Sequence, residues 1–206
     1  MAERGKECRP GGTGPQARLL RVVAAALLVW ALLPAAAARA CSITCSPATE
    51  CTCSGTGSCT ITTSQSLAAG AVVDCSGRDI VVGGGAGSIL VTDGFVTIKA
   101  DDLTINAQRS VRAERSSDVP FGVRVELTGT LDVPGWISAK SGTGGGTIEI
   151  DAAGDVLVSA GSQGGDGLNA NGTSASAPGG TIRVHAGGNV VIDDPVTAKA
   201  ASNGTA

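Results

Sequence analysis

Aromatic side chains are nearly missing from this sequence: of 206 residues none is Tyr, two are Phe and two are Trp. Beyond residue 40 only Phe95, Phe121 and Trp136 remain. A thick globular core normally draws much of its buried area from aromatics. The interior must therefore be narrow and built from Val, Ile, Leu and Ala. The same shortage argues against a sugar platform of stacked Trp and Tyr. Histidine is scarcer still. His185 stands alone, so no Ser/His/Asp set assembles around it, and it reads as a surface residue. The net charge of −3 gives no basic footprint for nucleic acid or an anionic membrane. Long helical periods are also lacking.

What is present begins with an export signal. Arg4, Lys6, Arg9, Arg18 and Arg21 precede an uncharged run of 17 residues, Val22 to Ala38, that ends at Ala38-Arg39-Ala40. Basic region, apolar region and A-x-A site are the parts of a Sec-type secretory signal. The run is short of the roughly 20 residues that span a bilayer, so residues 1–40 are expected to be removed, leaving no membrane segment. A lipidated Cys41 is disfavoured by Arg39. No adjacent Arg pair precedes the run, which argues against a twin-arginine route.

Cysteine usage fits an oxidising compartment. Cys8 falls in the removed segment, leaving Cys41, Cys45, Cys51, Cys53, Cys59 and Cys75 crowded at one end. An even set in an exported chain reads as disulfides with the connectivity open. No C-x-x-C pair occurs, so the spacing argues against zinc. Residues 41–58 are expected to form a Cys-rich cap and residues 59–206 the main domain.

That domain is repetitive. Gly145-Gly-Thr-Ile-Glu-Ile-Asp-Ala-Ala-Gly-Asp-Val-Leu-Val158 recurs 34 residues later as Gly179-Gly-Thr-Ile-Arg-Val-His-Ala-Gly-Gly-Asn-Val-Val-Ile192. A third copy lies 25 residues upstream, with Val123, Val125, Gly129, Leu131 and Val133 matching Ile148, Ile150, Gly154, Val156 and Val158. An approximate fourth uses Val96, Ile98, Leu103 and Ile105. Each unit reads as two short strands with inward residues two apart, joined by a bend. Such strands cannot fold alone, and stacking equivalent ones buries their apolar faces in continuous columns. The run Gly161–Gly180 is expected to project as a loop that absorbs the difference in repeat length.

The Gly-Gly-Thr-Ile-x-Ile-x-Ala-x-Gly-x-Val pattern after a Gly/Ser/Asn-rich loop resembles bacterial right-handed parallel β-helices. These are the pectin-lyase-like and filamentous-haemagglutinin-like surface repeat proteins. The resemblance covers residues 59–206 and implies an all-β right-handed solenoid. It also implies a choice of function between adhesins and polysaccharide-cleaving enzymes. A β-sandwich is the alternative fold.

The acids that catalysis would draw on are Asp101, Asp102, Asp193 and Asp194. Cleavage of a polysaccharide needs carboxylates gathered on one face. These pairs sit at bends, however, where Asp serves as a turn residue. Asp166, in Gly164-Gly-Asp-Gly167, is a weak calcium candidate, since one copy cannot stack ligands between turns. Gly83-Gly-Gly-Ala-Gly87 lies between strands, which rules out a phosphate loop. Arg109, Arg112 and Arg115 read as a solvated cluster in a less regular stretch. Asn171-Gly-Thr and Asn203-Gly-Thr are glycosylation sequons.

The expectation is a secreted or cell-surface β-helix with an adhesin-like or structural role, no catalytic site and no cofactor. Its partner would be an extracellular polysaccharide or another surface protein. The alternatives are a polysaccharide lyase or hydrolase, and an N-terminal fragment of a larger surface protein.

Overall fold

In the computed structural model the described residues are 42–45, 50–55, 57–159 and 167–201. Residues 1–40, read above as an export signal, lie outside them, as do Cys41, Asp166, Asn203 and the side chain of Cys45. Among the described residues there is no helix, and the strands form a β-solenoid of six coils.

Each coil contributes three strands, one to each of three sheets. β1 (Ser42–Cys45) precedes the first coil, which is β2 (Glu50–Ser54), β3 (Cys59–Ile61) and β4 (Gln65–Leu67). The second is β5 (Ala71–Asp74), β6 (Ile80–Val82) and β7 (Ile89–Thr92). The third is β8 (Phe95–Ala100), β9 (Leu103–Ile105) and β10 (Ser110–Glu114). Then come β11 (Gly122–Leu127), β12 (Leu131–Val133) and β13 (Trp136–Ala139). The fifth is β14 (Thr147–Ala152), β15 (Val156–Val158) and β16 (Leu168–Asn169). The sixth is β17 (Thr181–Ala186), β18 (Val190–Ile192) and β19 (Val196–Thr197). All rung-to-rung pairs are parallel; only β1 runs antiparallel, on the outer edge of β2.

The repeat copies sit on one another in the expected register. Val123 pairs with Ile148, Val125 with Ile150, Leu131 with Val156 and Val133 with Val158. Ile148 and Ile150 then pair with Ile182 and Val184. Period-two alternation turns these residues inward on every rung. One column runs Cys51, Val73, Ile98, Val125, Ile150 and Val184. A second runs Cys59, Ile80, Leu103, Leu131, Val156 and Val190. A third runs Gln65, Ile89, Val111, Ile137, Leu168 and Val196. From Ile80 to Leu168 the members of the last two columns that belong to complete inner coils are fully buried. Burying each such aliphatic side chain is worth about 1.5–3 kcal/mol. Three sheets around one narrow aliphatic interior need few large rings, and Phe121, 2 % exposed, is the one aromatic buried among the described residues.

Three expectations are corrected. The unit has three strands rather than two, because β4, β7, β10, β13, β16 and β19 form a sheet of their own. The stretch around Arg112 is therefore regular, as β10. The Cys-rich segment also carries the first rung, since β2 pairs with β5 and buries Cys51 in the interior. Finally, the Gly/Ser/Asn/Ala run is not wholly a projecting loop. Leu168, Asn169, Ala170 and Ala177 within it are buried, and β16 pairs with β13.

Close approach fixes several glycines. A Cβ on Gly122 would lie 2.1 Å from the Thr147 carbonyl oxygen on the next coil. At the far end, Val190, Ile192 and Val196 occupy inward positions of β18 and β19 yet are 48, 46 and 41 % exposed. Among the described residues no further rung covers them.

Candidate functional site

The outward positions of the first sheet carry the densest ordered set of charges. Parallel pairing puts equivalent residues of successive coils side by side, about 4.8 Å apart. One outward column reads Thr97, Arg124, Glu149, Arg183 and the next reads Asp74, Lys99, Glu126, Asp151, His185. Charges in the first column alternate in sign. Arg124 Nη2 lies 2.7 Å from Glu149 Oε2, and Arg183 Nη1 lies 3.0 Å from Glu149 Oε1. The Arg124 hydrogen bonds, with support from Arg183, hold the Glu149 carboxyl below its usual range.

In the second column Lys99 Nζ contacts Glu126 at 2.9 Å, and that hydrogen bond raises the Lys99 pKa. Asp151 Oδ1 lies 3.1 Å from His185 Nδ1. Lys99, Glu126, Asp151 and His185 line a shallow groove of about 560 Å³. His185 is therefore at the surface as expected, but it has an acid beside it. Residues that are equivalent in a solenoid repeat are neighbours in space, so the apparent replacement of Asp151 by His185 is a contact between the two.

The acids singled out at bends do other work. Asp101 and Asp102 form the corner between β8 and β9. Asp101 Oδ1 accepts from the Gly77 N–H at 3.1 Å and from the Thr128 hydroxyl at 2.7 Å, reaching one coil back and one forward. Asp102 Oδ1 accepts from both the N–H and the hydroxyl of Thr130. Asp193 and Asp194 sit at a different corner, after β18. The Asp193 N–H donates to the Val158 carbonyl, and Asp194 is half-buried. The two pairs are not brought together into one site.

Two further acids in the same kind of role were not singled out from the sequence. Asp93, at φ 60° in the turn before β8, accepts from the N–H and hydroxyl groups of both Ser116 and Ser117. Donation from Ser116 first, and Ser117 second, holds its carboxyl at about 2. Asp155 Oδ1 accepts from the Asn189 N–H at 2.7 Å. The signal for both was Asp at a repeat corner.

The arginine cluster disperses along the third sheet. Arg112 pairs with Glu114 at 3.3 Å. Arg115 stacks over the Phe121 ring at 5.2 Å and donates to the Thr143 hydroxyl. Arg109 lies in the turn before β10, where its carbonyl accepts from the Trp136 N–H. The Asn171 side chain donates to the Thr197 hydroxyl and accepts from the Lys199 N–H, so this sequon asparagine is already engaged with the following coil.

At the entry end Cys53 and Cys75 form a disulfide, with Cα atoms 5.0 Å apart. Cys51 and Cys59 are disulfide-bonded as well. Comparison of the chain with known protein families, with curated proteins and with solved structures finds no match.

Proposed function

We propose that this chain is an exported β-solenoid with an adhesin-like or structural role, of the kind found among pectin-lyase-like and filamentous-haemagglutinin-like surface proteins. The observation that carries the reading is what the carboxylates do. Asp93, Asp101, Asp102 and Asp155 each accept hydrogen bonds from an adjacent coil. Glu126 and Glu149 are ion-paired between rungs. A glycosidase acid has its pKa raised so that it holds a proton to deliver. The resolved carboxylate shifts of this chain, at Asp74, Asp93 and Glu149, are all downward. Hydrogen-bonded acids, with Asp93 and Glu149 held below their usual range, suit fastening better than proton transfer. The flat, charge-striped face of the first sheet would then be the surface offered to an extracellular polymer or another surface protein.

The Sec-type signal at residues 1–40 places the working form outside the cytoplasm, which suits the paired cysteines. Intact mass of the released protein should correspond to a chain beginning at Cys41.

The competing reading is a polysaccharide-active enzyme. The observation that favours it is the groove where Glu126 and Asp151 occupy adjacent rungs beside Lys99 and His185. Incubating the purified protein with acidic polysaccharides, with and without calcium, separates the two. The structural reading expects retention on polymer or cell surface with no new reducing ends or unsaturated products. Product release that disappears in Glu126→Gln or Asp151→Asn would establish the enzyme instead.

A further inference from the structure

Cys53, Cys59 and Cys75 are far from metal-site spacing in the sequence, yet the fold gathers them. Cys53 is on β2, Cys75 follows β5 directly, and Cys59 opens β3, so all three meet at the corner between the first two sheets. The rung register makes the meeting obligatory: Thr52 pairs with Asp74, which sets Cys53 against Cys75. Their three sulfur atoms all lie within 4.8 Å of one another. Cys59 is 0 % and Cys75 2 % exposed, while Cys53 is half-buried and nearer solvent.

We propose that in its reduced form this corner is a three-thiolate site for a soft, closed-shell metal ion, with Zn(II) as the reference case. Zinc–thiolate bonds of about 2.3 Å place sulfurs about 3.8 Å apart around the ion, and the fourth position stays open to water. On reduction the bonded sulfurs of Cys53 and Cys75 must move apart to reach that spacing, while the Cys59 sulfur already lies within 4.8 Å of both. Thiolate ligands select Zn(II) and Cu(I) over the hard oxygen-seeking cations. Burial disfavours free thiolates, but coordination deprotonates a thiol outright and removes that penalty. Disulfide and metal are thus alternative fastenings of the same corner.

The chemistry balances with a trialkylphosphine as reductant. Each disulfide takes two electrons and two protons to become two thiols, while the phosphine takes oxygen from water to become its oxide. Both the Cys53–Cys75 bond and the bond that holds Cys59 are opened in this way. Metal binding then expels the thiol protons to solvent.

The test uses the full chain, reduced with a trialkylphosphine, freed of it without air and titrated with Cd(II) as an optical stand-in for Zn(II). One equivalent should bind with a thiolate-to-metal charge-transfer band and be displaced by Zn(II). A Cys8→Ser/Cys41→Ser/Cys45→Ser/Cys51→Ser variant should keep the band, and adding Cys59→Ser should abolish it. If reduction loosens the fold, metal should restore the strand signal in circular dichroism, because ligation and folding are coupled. Absence of one-equivalent binding in the four-serine variant overturns the proposal. So does binding that survives Cys53→Ser/Cys59→Ser/Cys75→Ser, which would assign it to the other cysteines.

Discussion

Asp102 holds Thr130, 28 residues further along the chain, by two hydrogen bonds to one oxygen: 2.5 Å from the backbone N–H and 3.0 Å from the hydroxyl. The contact joins the corner of one coil to the same corner of the next. Asp102→Ala should cost about 1 kcal/mol, because it leaves donors to be satisfied by water alone. Asp102→Asn keeps an acceptor at the same place and should cost less. Denaturant unfolding of both variants measures the difference; equal losses would mean that the carboxamide cannot take over.

Asp93 gives the fold an acid-sensitive contribution. Its carboxyl is lowered from 3.8 to about 2 by the serine donors. A depressed folded value adds stability that is fully present above the unfolded pKa and lost as pH falls through the folded one. Stability should therefore decline between about pH 4 and about pH 2, and Asp93→Asn should flatten that part of the profile. Unfolding midpoints measured across the range check it, and an unchanged slope in the variant would contradict it.

Glu149, between Arg124 and Arg183, should matter modestly. Exposed ion pairs are worth about 0.2–1 kcal/mol and are screened by salt. Glu149→Gln should destabilise within that span at low ionic strength, and the gap from the parent should narrow at high salt. A larger loss that ignores salt would show that packing, not charge, is at stake.

Reducing the entry end should cost more than any surface pair. Cys53→Ser/Cys75→Ser removes a cross-link that closes 22 residues and should lower stability by about 2–4 kcal/mol. If β1 and the disulfides together shield the edge of β2, limited proteolysis should begin there, and the variant should associate more readily. A variant that remains monomeric and equally resistant to protease would remove the capping role.

Much of this architecture is legible in the residues, for a physical reason. In a solenoid the equivalent positions of successive repeats become rung partners. The alignment of Val123, Ile148 and Ile182 is thus a statement of contact, and the structure places all three in one column. The third strand of each coil is hidden because its inward positions include Ala113 and Ala139 and its length falls to two residues in β16. Small residues satisfy a narrow interior without producing an apolar alternation. Cys51 hides the first rung similarly, since a cysteine serves there as an apolar core residue. The charge ladder needed a third copy to be seen. Glu149 and Arg183 are evident as outward equivalents, but only with Arg124 does the alternation of sign emerge. The sulfur cluster was illegible altogether, because it depends on where the coil turns its corners.

Amide hydrogen exchange at the repeat corners tests most directly whether the carboxylates fasten coil to coil. In the parent protein the amides of Thr130 and Asn189, which donate to Asp102 and Asp155, should be protected beyond the level of unbonded surface turns. Asp102→Ala should speed exchange at Thr130 while leaving Asn189 unchanged, and Asp155→Ala should do the reverse. Exchange at Thr130 and Asn189 that is fast in the parent, or indifferent to loss of the carboxylate, would contradict the account.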